Sequence, residues 1–386
     1  MNILVVNAGS SSLKANLFSH DTKGIKELLD FNVDAIGHEN CKFMYKGFGK
    51  NIEQKENIKD HEQAIKLLFK WLDPKEVKAI GHRVVHGGEK YQQAVKIDAK
   101  VLKEIEKLNK LAPLHNPINL KCIQVCQKIL PKVKQVAVFD TAFHQTMPPE
   151  AYLYGLPMDL YKKEQIRRYG FHGTSHKYVI NEALKKLGKA KAKKAKIISC
   201  HLGNGSSITA SWNGKSVDTS MGFTPLEGVM MGTRSGSIDP AVVLKLAKEH
   251  GIPKTEKLLQ KESGLLGFSE ISSDMREIHE ASLKKDLQAS LTIETLSYQI
   301  AKYCGSYVAA LNGLDALVFT GGIGENAFYL RDQICDHLTF LGLKIDKSSN
   351  KENSPEISTK DSKIKVFIIK TEEELQIAKE TIEVLS

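Results

Sequence analysis

Apolar and polar positions repeat at two different periods along this chain, and the places where the period changes predict its elements. Residues 3–6 form a short apolar run that enters Asn7-Ala-Gly-Ser-Ser-Ser and resumes with alternating apolar positions from Leu13 to Phe18. A second run, Ile197-Ile-Ser-Cys, passes through His201-Leu-Gly-Asn-Gly205 and continues as Ser206-Ser-Ile-Thr-Ala210. Both read as strand, tight turn, strand. The Gly/Ser/Asn tips of such hairpins expose backbone N–H groups and hydroxyls suited to phosphate oxygens. One such tip is an ordinary turn, but two, placed one per half of the chain, predict a duplicated fold that holds a polyphosphate.

The rest of the pattern alternates strand with helix. The opening is β-rich to about Tyr45, and 61–71 has helical periodicity. Residues 77–85 read as a strand ending at His86-Gly-Gly-Glu89, 99–108 and 119–130 as helices, and 135–139 as a strand running into Asp140. Met147-Pro-Pro-Glu150 is a linker candidate. Helices are predicted over 239–250, 255–261 and 283–312, and a buried strand over 316–320 feeds a Gly321-Gly-Ile-Gly-Glu-Asn326 turn and a helix over 327–340. A polar loop over 347–362, a strand over 364–369 and a helix from Glu372 complete the chain. Strands alternating with helices in both halves argue an α/β fold.

With 386 residues the chain is long enough for two domains, each with its own core. A hydrophobic content of 41% with 26% charged residues is that of a folded globular protein, not a disordered one. No apolar run approaches the length of a membrane span, and the apolar stretch at 3–6 is too short for a signal-peptide core, so a cytoplasmic protein is expected. Cys41, Cys122, Cys126, Cys200, Cys304 and Cys335 show neither CxxC nor zinc spacing and are expected to be reduced and structural. The net charge of +10 is concentrated in the lysine run at 185–196. With little aromatic interleaving, that run reads as a solvated helix and turn, not a nucleic-acid face.

Candidate chemistry lies elsewhere. A Walker pattern is missing, because Gly214-Lys-Ser216 lacks its upstream glycine, and the protein-kinase motifs are missing too. Phosphate contacts must therefore come from the two hairpin tips and from 321–326, which follows a strand and opens a helix. Arg83, in Gly81-His-Arg-Val-Val-His-Gly-Gly-Glu89, and Arg234, in Met231-Gly-Thr-Arg-Ser-Gly-Ser-Ile-Asp-Pro240, are flanked by glycines that let a ligand approach. A planar guanidinium there binds two carboxylate or phosphate oxygens at once. Asp140 ends an apolar strand, where it either faces a ligand crevice or caps the next segment. His172, in Arg168-Tyr-Gly-Phe-His-Gly-Thr-Ser-His176, is either a loop histidine or a donor to a developing phosphoryl charge. The i,i+4 pairs His82/His86 and His172/His176 lack a third ligand and do not read as zinc sites.

These residues carry a resemblance. Asn7-Ala-Gly-Ser-Ser-Ser-Leu-Lys14, His82–Glu89, Phe139-Asp-Thr-Ala-Phe-His144, Arg168–His176, His201–Gly205, Met231–Pro240, Gly321–Asn326 and Thr371-Glu-Glu-Glu-Leu375 occur in order over the whole chain. In this the sequence resembles the acetate kinases, of the sugar kinase/Hsp70/actin superfamily. The resemblance implies two actin-like, RNase H-like α/β lobes with a nucleotide cleft between them. One lobe would span 1–147, joined by a helix at 374–386, and the other 148–373. It also implies an enzyme that moves a phosphoryl group reversibly between ATP and acetate, giving acetyl phosphate and ADP, and that uses Mg²⁺ (or Mn²⁺) and forms a homodimer. No nucleic-acid or membrane partner is implied.

By the same resemblance, Asn7 and Glu373 would hold Mg²⁺ and Lys14 would contact nucleotide phosphate. His201, Leu202, Gly203, Asn204 and Gly205 would line the phosphate path. Asp274, Met275 and Arg276, with Gly322, Ile323, Gly324, Glu325 and Asn326, would bind the nucleoside end. Arg83 and Arg234 would hold the acyl phosphate, Asp140 would be the catalytic carboxylate, and His172 with Arg234 would stabilise the transition state. Val85, Leu114, Phe171 and Pro225 would form a small apolar pocket for the acyl end, Val85 favouring acetate over propionate. In-line phosphoryl transfer to a carboxylate needs placement and positive charge around the transferred oxygens more than covalent help. Acetate is already ionised at neutral pH, so Asp140 suits orienting an arginine better than acting as a base. The rival from another class is a nucleotide-regulated binding or scaffold protein, and the nearer rival is a kinase preferring propionate or butyrate.

Overall fold

The computed structural model describes residues 1–386, apart from the side chains of residues 189 and 191; that part of the lysine run at 185–196 lies outside the described residues. The chain divides into two compact units, 1–145 with 372–386, and 146–371. The breaks fall two residues before the positions expected from the sequence at both crossings. At the first, Pro149–Tyr152 forms a short helix with its prolines at the start, so the Pro-Pro pair belongs to the second unit. At the second, Glu373 stays with the C-terminal helix Glu373–Leu385 in the first unit.

The first unit is built on an eight-stranded sheet: β1 (Asn2–Ala8), β2 (Leu13–Asp21), β3 (Gly24–Asp34), β4 (Lys42–Gly47), β5 (Lys50–Lys55), β6 (Ala79–Val84), β7 (Val95–Lys96) and β8 (Lys134–Phe139). Its order is β5-β4-β3-β2-β1-β6-β8-β7. The second unit has β9 (Lys196–Leu202), β10 (Ser206–Trp212), β11 (Lys215–Thr219), β12 (Ala316–Thr320) and β13 (Lys365–Ile368), ordered β11-β10-β9-β12-β13. The run β3-β2-β1-β6-β8 of the first sheet repeats in the second. In each, a hairpin pair and a third strand are antiparallel, and two further strands join the first in parallel. The duplication expected from the two hairpin tips is present as topology. The tips themselves join β1 to β2 and β9 to β10.

Alternation along β1 explains how the first core is layered. Leu4 and Val6 pack with Ile65, Leu68, Cys122 and Val125 from helices His61–Trp71 and Asn116–Ile129 on one face. Ile3 and Val5 pack with Ile377 and Ala378 of the C-terminal helix on the other. That helix comes so close to β6 that a Cβ on Gly81 would lie 2.2 Å from Thr381 Oγ1, so only glycine fits there. The second core gathers Ile198, Cys200, Leu317 and Phe319 of its central strands against the long helix Leu287–Leu311. All six cysteines are buried and unlinked. No helix among the described residues is long and apolar enough to cross a membrane.

Several sequence expectations shift for local reasons. The helix expected over 119–130 begins at Asn116, because Pro117 fits the first turn, where its missing N–H costs nothing. The helix expected over 283–312 starts four residues later, as Leu287–Leu311, and a separate helix that was not expected, Met275–Leu283, precedes it. Lys285 turns left-handed at φ 67°, and Asp286 caps Leu287–Leu311 by accepting from the Ala289 N–H at 2.8 Å. The glycine-rich stretch after β12 is a short helix, Gly321–Asn326, followed by Phe328–Asp336. The polar loop at 347–362 contains a capped turn of helix, Lys347–Lys351, and two isolated bridges.

Candidate active site

In the first unit the candidate residues gather at the C-terminal ends of parallel strands, where α/β sheets carry their ligand sites. Asn7 lies near the end of β1, opposite Lys14 in register. Arg83 is on β6, and Asp140 directly follows β8, its N–H donating to the Val84 carbonyl at 2.9 Å. Arg83 Nη2 donates to Asp140 Oδ2 at 2.7 Å, and Nη1 to Asn7 Oδ1 at 3.3 Å. Asp140 is 1% exposed. Burial opposes the charge of Arg83, but the carboxylates of Asp140, Glu373 and Glu374 outweigh it and hold the guanidinium firmly protonated. Its Nε–H is buried without a partner.

The first turn of the C-terminal helix brings two more carboxylates to this place. Asn7 Nδ2 donates to Glu374 Oε1 at 3.0 Å. The sequence favoured Glu373 for the metal; the hydrogen bond to Asn7 goes to its neighbour. Burial, with Asp140 and Glu374 nearby, pushes the Glu373 carboxyl up to about 7 against the pull of Arg83 and Lys14. A carboxylate destabilised by like charge, beside an amide oxygen, suits a hard divalent cation that keeps most of its water. No group of three or more His, Cys, Asp or Glu among the described residues is arranged to hold an ion by protein ligands alone. Asn7 and the glutamate pair therefore fit a partly hydrated cation shared with phosphate oxygens, and not an all-protein cage.

The second unit builds a place of opposite character. His172 has left-handed backbone (φ 54°) at the start of helix Gly173–Leu187, a conformation a non-glycine residue adopts at some cost. Its Nδ1 is 2.9 Å from Ser207 Oγ, and its ring lies against that of His201 with centroids 4.3 Å apart. His176 bridges Ser199 and Ser207, both at 2.7 Å, and Ser175 Oγ reaches His201 Nδ1 and Thr371 Oγ1, both at 2.8 Å. A Cβ on Gly205 would lie 3.3 Å from His172 Nε2 and 3.8 Å from Arg234 Nη1, so this glycine lets the imidazole and the guanidinium approach the hairpin tip together. Arg234 donates to the Pro225 carbonyl at 3.3 Å and to Met231 Sδ at 3.6 Å. No carboxylate among the described residues pairs with it, and burial alone lowers its affinity for the proton.

The same unit carries an open pocket of about 890 Å³ lined by Gly203, Asn204, Ser273, Asp274, Met275, Arg276, His279, Glu280, Gly322, Ile323, Asn326, Ala327 and Tyr329. Its volume suits a nucleoside with part of its phosphate chain. Asp274 caps the helix Met275–Leu283, and Arg276 folds back onto its carboxylate at 2.5 Å. His279 stacks on Tyr329 with a 10° interplanar angle, giving an aromatic edge that the sequence did not indicate. Six expected nucleotide residues do not line it: Lys14 belongs to the first unit, and His201 and Gly205 lie beside His172. Leu202 and Gly324 are buried, and Glu325 accepts the N–H groups of Gly321 and Thr371 at 3.0 and 3.3 Å, tying the short helix to the end of the unit.

The sequence matches the acetokinase family over residues 2–379. The chain belongs to that family. It is 49% identical to an acetate kinase of Thermotoga maritima over 402 residues, covering 100% of this chain and 99% of the relative. It is 48% identical to one of Clostridium novyi, covering 100% and 98%. Among solved structures, a propionate kinase from Francisella tularensis has 44% identity and a TM-score of 0.93 over 99% of each chain. An acetate kinase from Porphyromonas gingivalis has 41% identity and a TM-score of 0.92 over the whole of both. The protein is an enzyme of the kinase class, with the two-sheet α/β fold of that family.

For an acetokinase-family member, the residues expected to receive the acyl end are of mixed character. Val85 (4% exposed) and Phe171 (3%) are buried, whereas Leu114 is 60% exposed and is no wall of a closed apolar pocket within its own unit. Leu114 lies in a turn just before helix Asn116–Ile129. Pro225 is half-buried, and its carbonyl is engaged by Arg234.

Proposed function

We propose that this protein catalyses reversible phosphoryl transfer between ATP and acetate, giving acetyl phosphate and ADP by direct in-line transfer. The observation that carries this reading is Arg234. It is a half-buried guanidinium with no carboxylate partner among the described residues, beside His172 and the glycine tip of β9–β10, in a chain that matches the acetokinase family almost end to end. Such a charge is preorganised for an anion, and donors aimed at developing charge are commonly the largest single contribution to catalysis.

Within that reading, Arg234 and His172 stabilise the equatorial oxygens of the phosphoryl group, and Arg83 binds acetate or acetyl phosphate. Asp140 orients Arg83; it has no proton to remove from an ionised acceptor. Lys14 and His201–Gly205 take the phosphate chain, and the cavity around Asp274–Arg276 and Gly322–Asn326 takes the nucleoside. Asn7 and Glu373, with Glu374, would hold Mg²⁺, which neutralises charge on the phosphate oxygens. A homodimer in the cytoplasm completes the reading. Propionate is the alternative acceptor, favoured by the likeness to the Francisella tularensis propionate kinase structure. Val85 leans the other way, since one methylene in a pocket is worth about 1–3 kcal/mol.

The test is phosphorus NMR of the enzyme with ATP, Mg²⁺ and acetate, propionate or butyrate at equal concentrations. An acyl-phosphate signal strongest with acetate is expected. A stronger signal with a longer acid would move the substrate and leave the reaction standing, and no acyl phosphate from any acid would sink the proposal.

A further inference from the structure

Between β11 and the loop that carries Arg234, residues 220–227 run without regular secondary structure, yet side chains from two other segments fasten them, from the end of β11 at Thr219 to Glu227 and in the middle. Arg168 donates Nη1 to the carbonyls of Thr219, Ser220 and Met221 at 2.7, 3.2 and 3.3 Å, and Nη2 to Glu227 Oε1 at 2.6 Å. One guanidinium thus joins the beginning of the segment to its end. The Tyr154 hydroxyl donates to the other Glu227 oxygen at 2.5 Å and accepts the Phe223 N–H at 2.8 Å. This fixes the middle of the segment to the same carboxylate.

The fastening fills the space inside the loop. A Cβ on Gly222 would stand 1.7 Å from Glu227 Oε2 and 2.2 Å from Tyr154 Oη, so the segment closes only around a glycine. The Gly222 carbonyl then accepts the N–H groups of Tyr169 and Gly170 at 3.0 and 3.2 Å. Those residues lead within two positions to His172. At the other end, the Pro225 carbonyl accepts from Arg234 Nη1 at 3.3 Å. The same fastened segment therefore touches the strand of chain that ends in His172 and the guanidinium of Arg234.

We propose that Tyr154, Arg168 and Glu227 are positioning residues: they clamp residues 219–227 and thereby set Pro225 for the acyl end of the substrate and Arg234 for its phosphoryl group. None of the three is offered as a group that touches it. The assignment rests on the proposed acyl-phosphate chemistry. Its physical basis is that charge-assisted hydrogen bonds with fixed geometry hold an irregular segment as secondary structure cannot. A displacement of about 1 Å at a substrate-positioning group costs on the order of 10²-fold in rate.

Tyr154→Phe tests it most cleanly, since it removes one hydroxyl and two hydrogen bonds and keeps the ring. Loss of a charge-assisted bond predicts a rise in the acetate KM of about tenfold. ATP affinity, measured by calorimetry without acetate, should stay at the wild-type value, because the nucleoside cavity shares none of these residues. Amide exchange at residues 220–226 should accelerate by about tenfold, and exchange elsewhere in the unit should not. Glu227→Gln, which still accepts from Tyr154 but loses the ion pair, should fall between; it carries the same test if Tyr154→Phe folds poorly. Faster exchange with an unchanged acetate KM would overturn the positioning role, and unchanged exchange would overturn the clamp itself. A wild-type enzyme that makes no acyl phosphate, assayed alongside, would instead condemn the functional reading.

Discussion

The two units place an arginine in comparable glycine-rich settings and treat it in opposite ways. Arg83 in the first unit is paired with a buried aspartate at 2.7 Å and sits in the field of two glutamates. Arg234 in the second touches a carbonyl and a thioether, and nothing near it balances its charge. Breaking a buried ion pair by removing one partner costs about 3–5 kcal/mol, whereas removing a desolvated charge that lacks a partner relieves the fold. The comparison teaches that the first guanidinium is held by carboxylates before any ligand arrives, while the second has none among the described residues. The carboxylates around Arg83 and the absence of one paired with Arg234 among the described residues are what the proposed roles of the two arginines require.

The largest effect that can break this contrast is on turnover. Arg234→Ala should lower kcat by about 10²–10³-fold or more. ATP binding should be intact, and thermal unfolding should occur at or above the wild-type temperature. Wild-type-like turnover in that variant would remove Arg234 from the reaction. A marked drop in Tm would show that the residue has a structural partner after all, and the contrast would collapse.

The next effect is on stability, and it belongs to the other arginine. Arg83→Met and Asp140→Ala should each destabilise by about 3–5 kcal/mol in denaturant unfolding, and the double variant should cost clearly less than their sum. Additive losses would mean that the 2.7 Å pair contributes nothing of its own. Arg83→Ala should also raise the half-saturating acetate concentration, while Arg234→Ala acts mainly on kcat. That split between binding and rate sharpens the comparison beyond what stability alone shows.

How much of this was legible beforehand depends on how far the relevant physics reaches along the chain. The hairpins around Asn7–Lys14 and His201–Gly205 were readable because strand, glycine turn and strand are contiguous. Arg83 and Arg234 stood out because the glycines that expose them are sequence neighbours. What could not be read was which of them has a carboxylate partner, since Asp140 lies 57 residues from Arg83 and periodicity carries no information at that range. The far edge of the pocket around Asp274–Arg276 was invisible for the same reason: His279 and Tyr329 meet only through tertiary packing. The late start of the helix expected over 283–312 was legible in principle: Asp286 is a capping residue just before Leu287, and the apolar Leu283 ahead of it obscured the boundary. The 60% exposure of Leu114 was not legible either, since its neighbours Leu111 and Ala112 are apolar and buried.

The smallest effect separates the scaffold of the first unit from its site. His82 and Arg83 are neighbours on β6, so their side chains leave opposite faces of the sheet. His82 is 1% exposed, and its Nε2 lies 2.7 Å from Gln135 Oε1, while its Nδ1 has no partner. That arrangement fits the neutral ring with the proton on Nε2. Burial pulls its pKa down to about 4, against a weaker upward pull from Gln135. Between pH 6.5 and 4 the unfolded chain then binds a proton that the folded one refuses, so stability is complete above pH 6.5 and falls as the solution is acidified. The loss should be about 1.4 kcal/mol at pH 5.5 and about 3 kcal/mol at pH 4. His82→Gln should flatten this slope in urea unfolding followed across that range, without changing the acetate KM at pH 7.5. An unaltered slope would mean that the acid sensitivity of the first unit comes from its site carboxylates, and the separation of scaffold from site on β6 would fail.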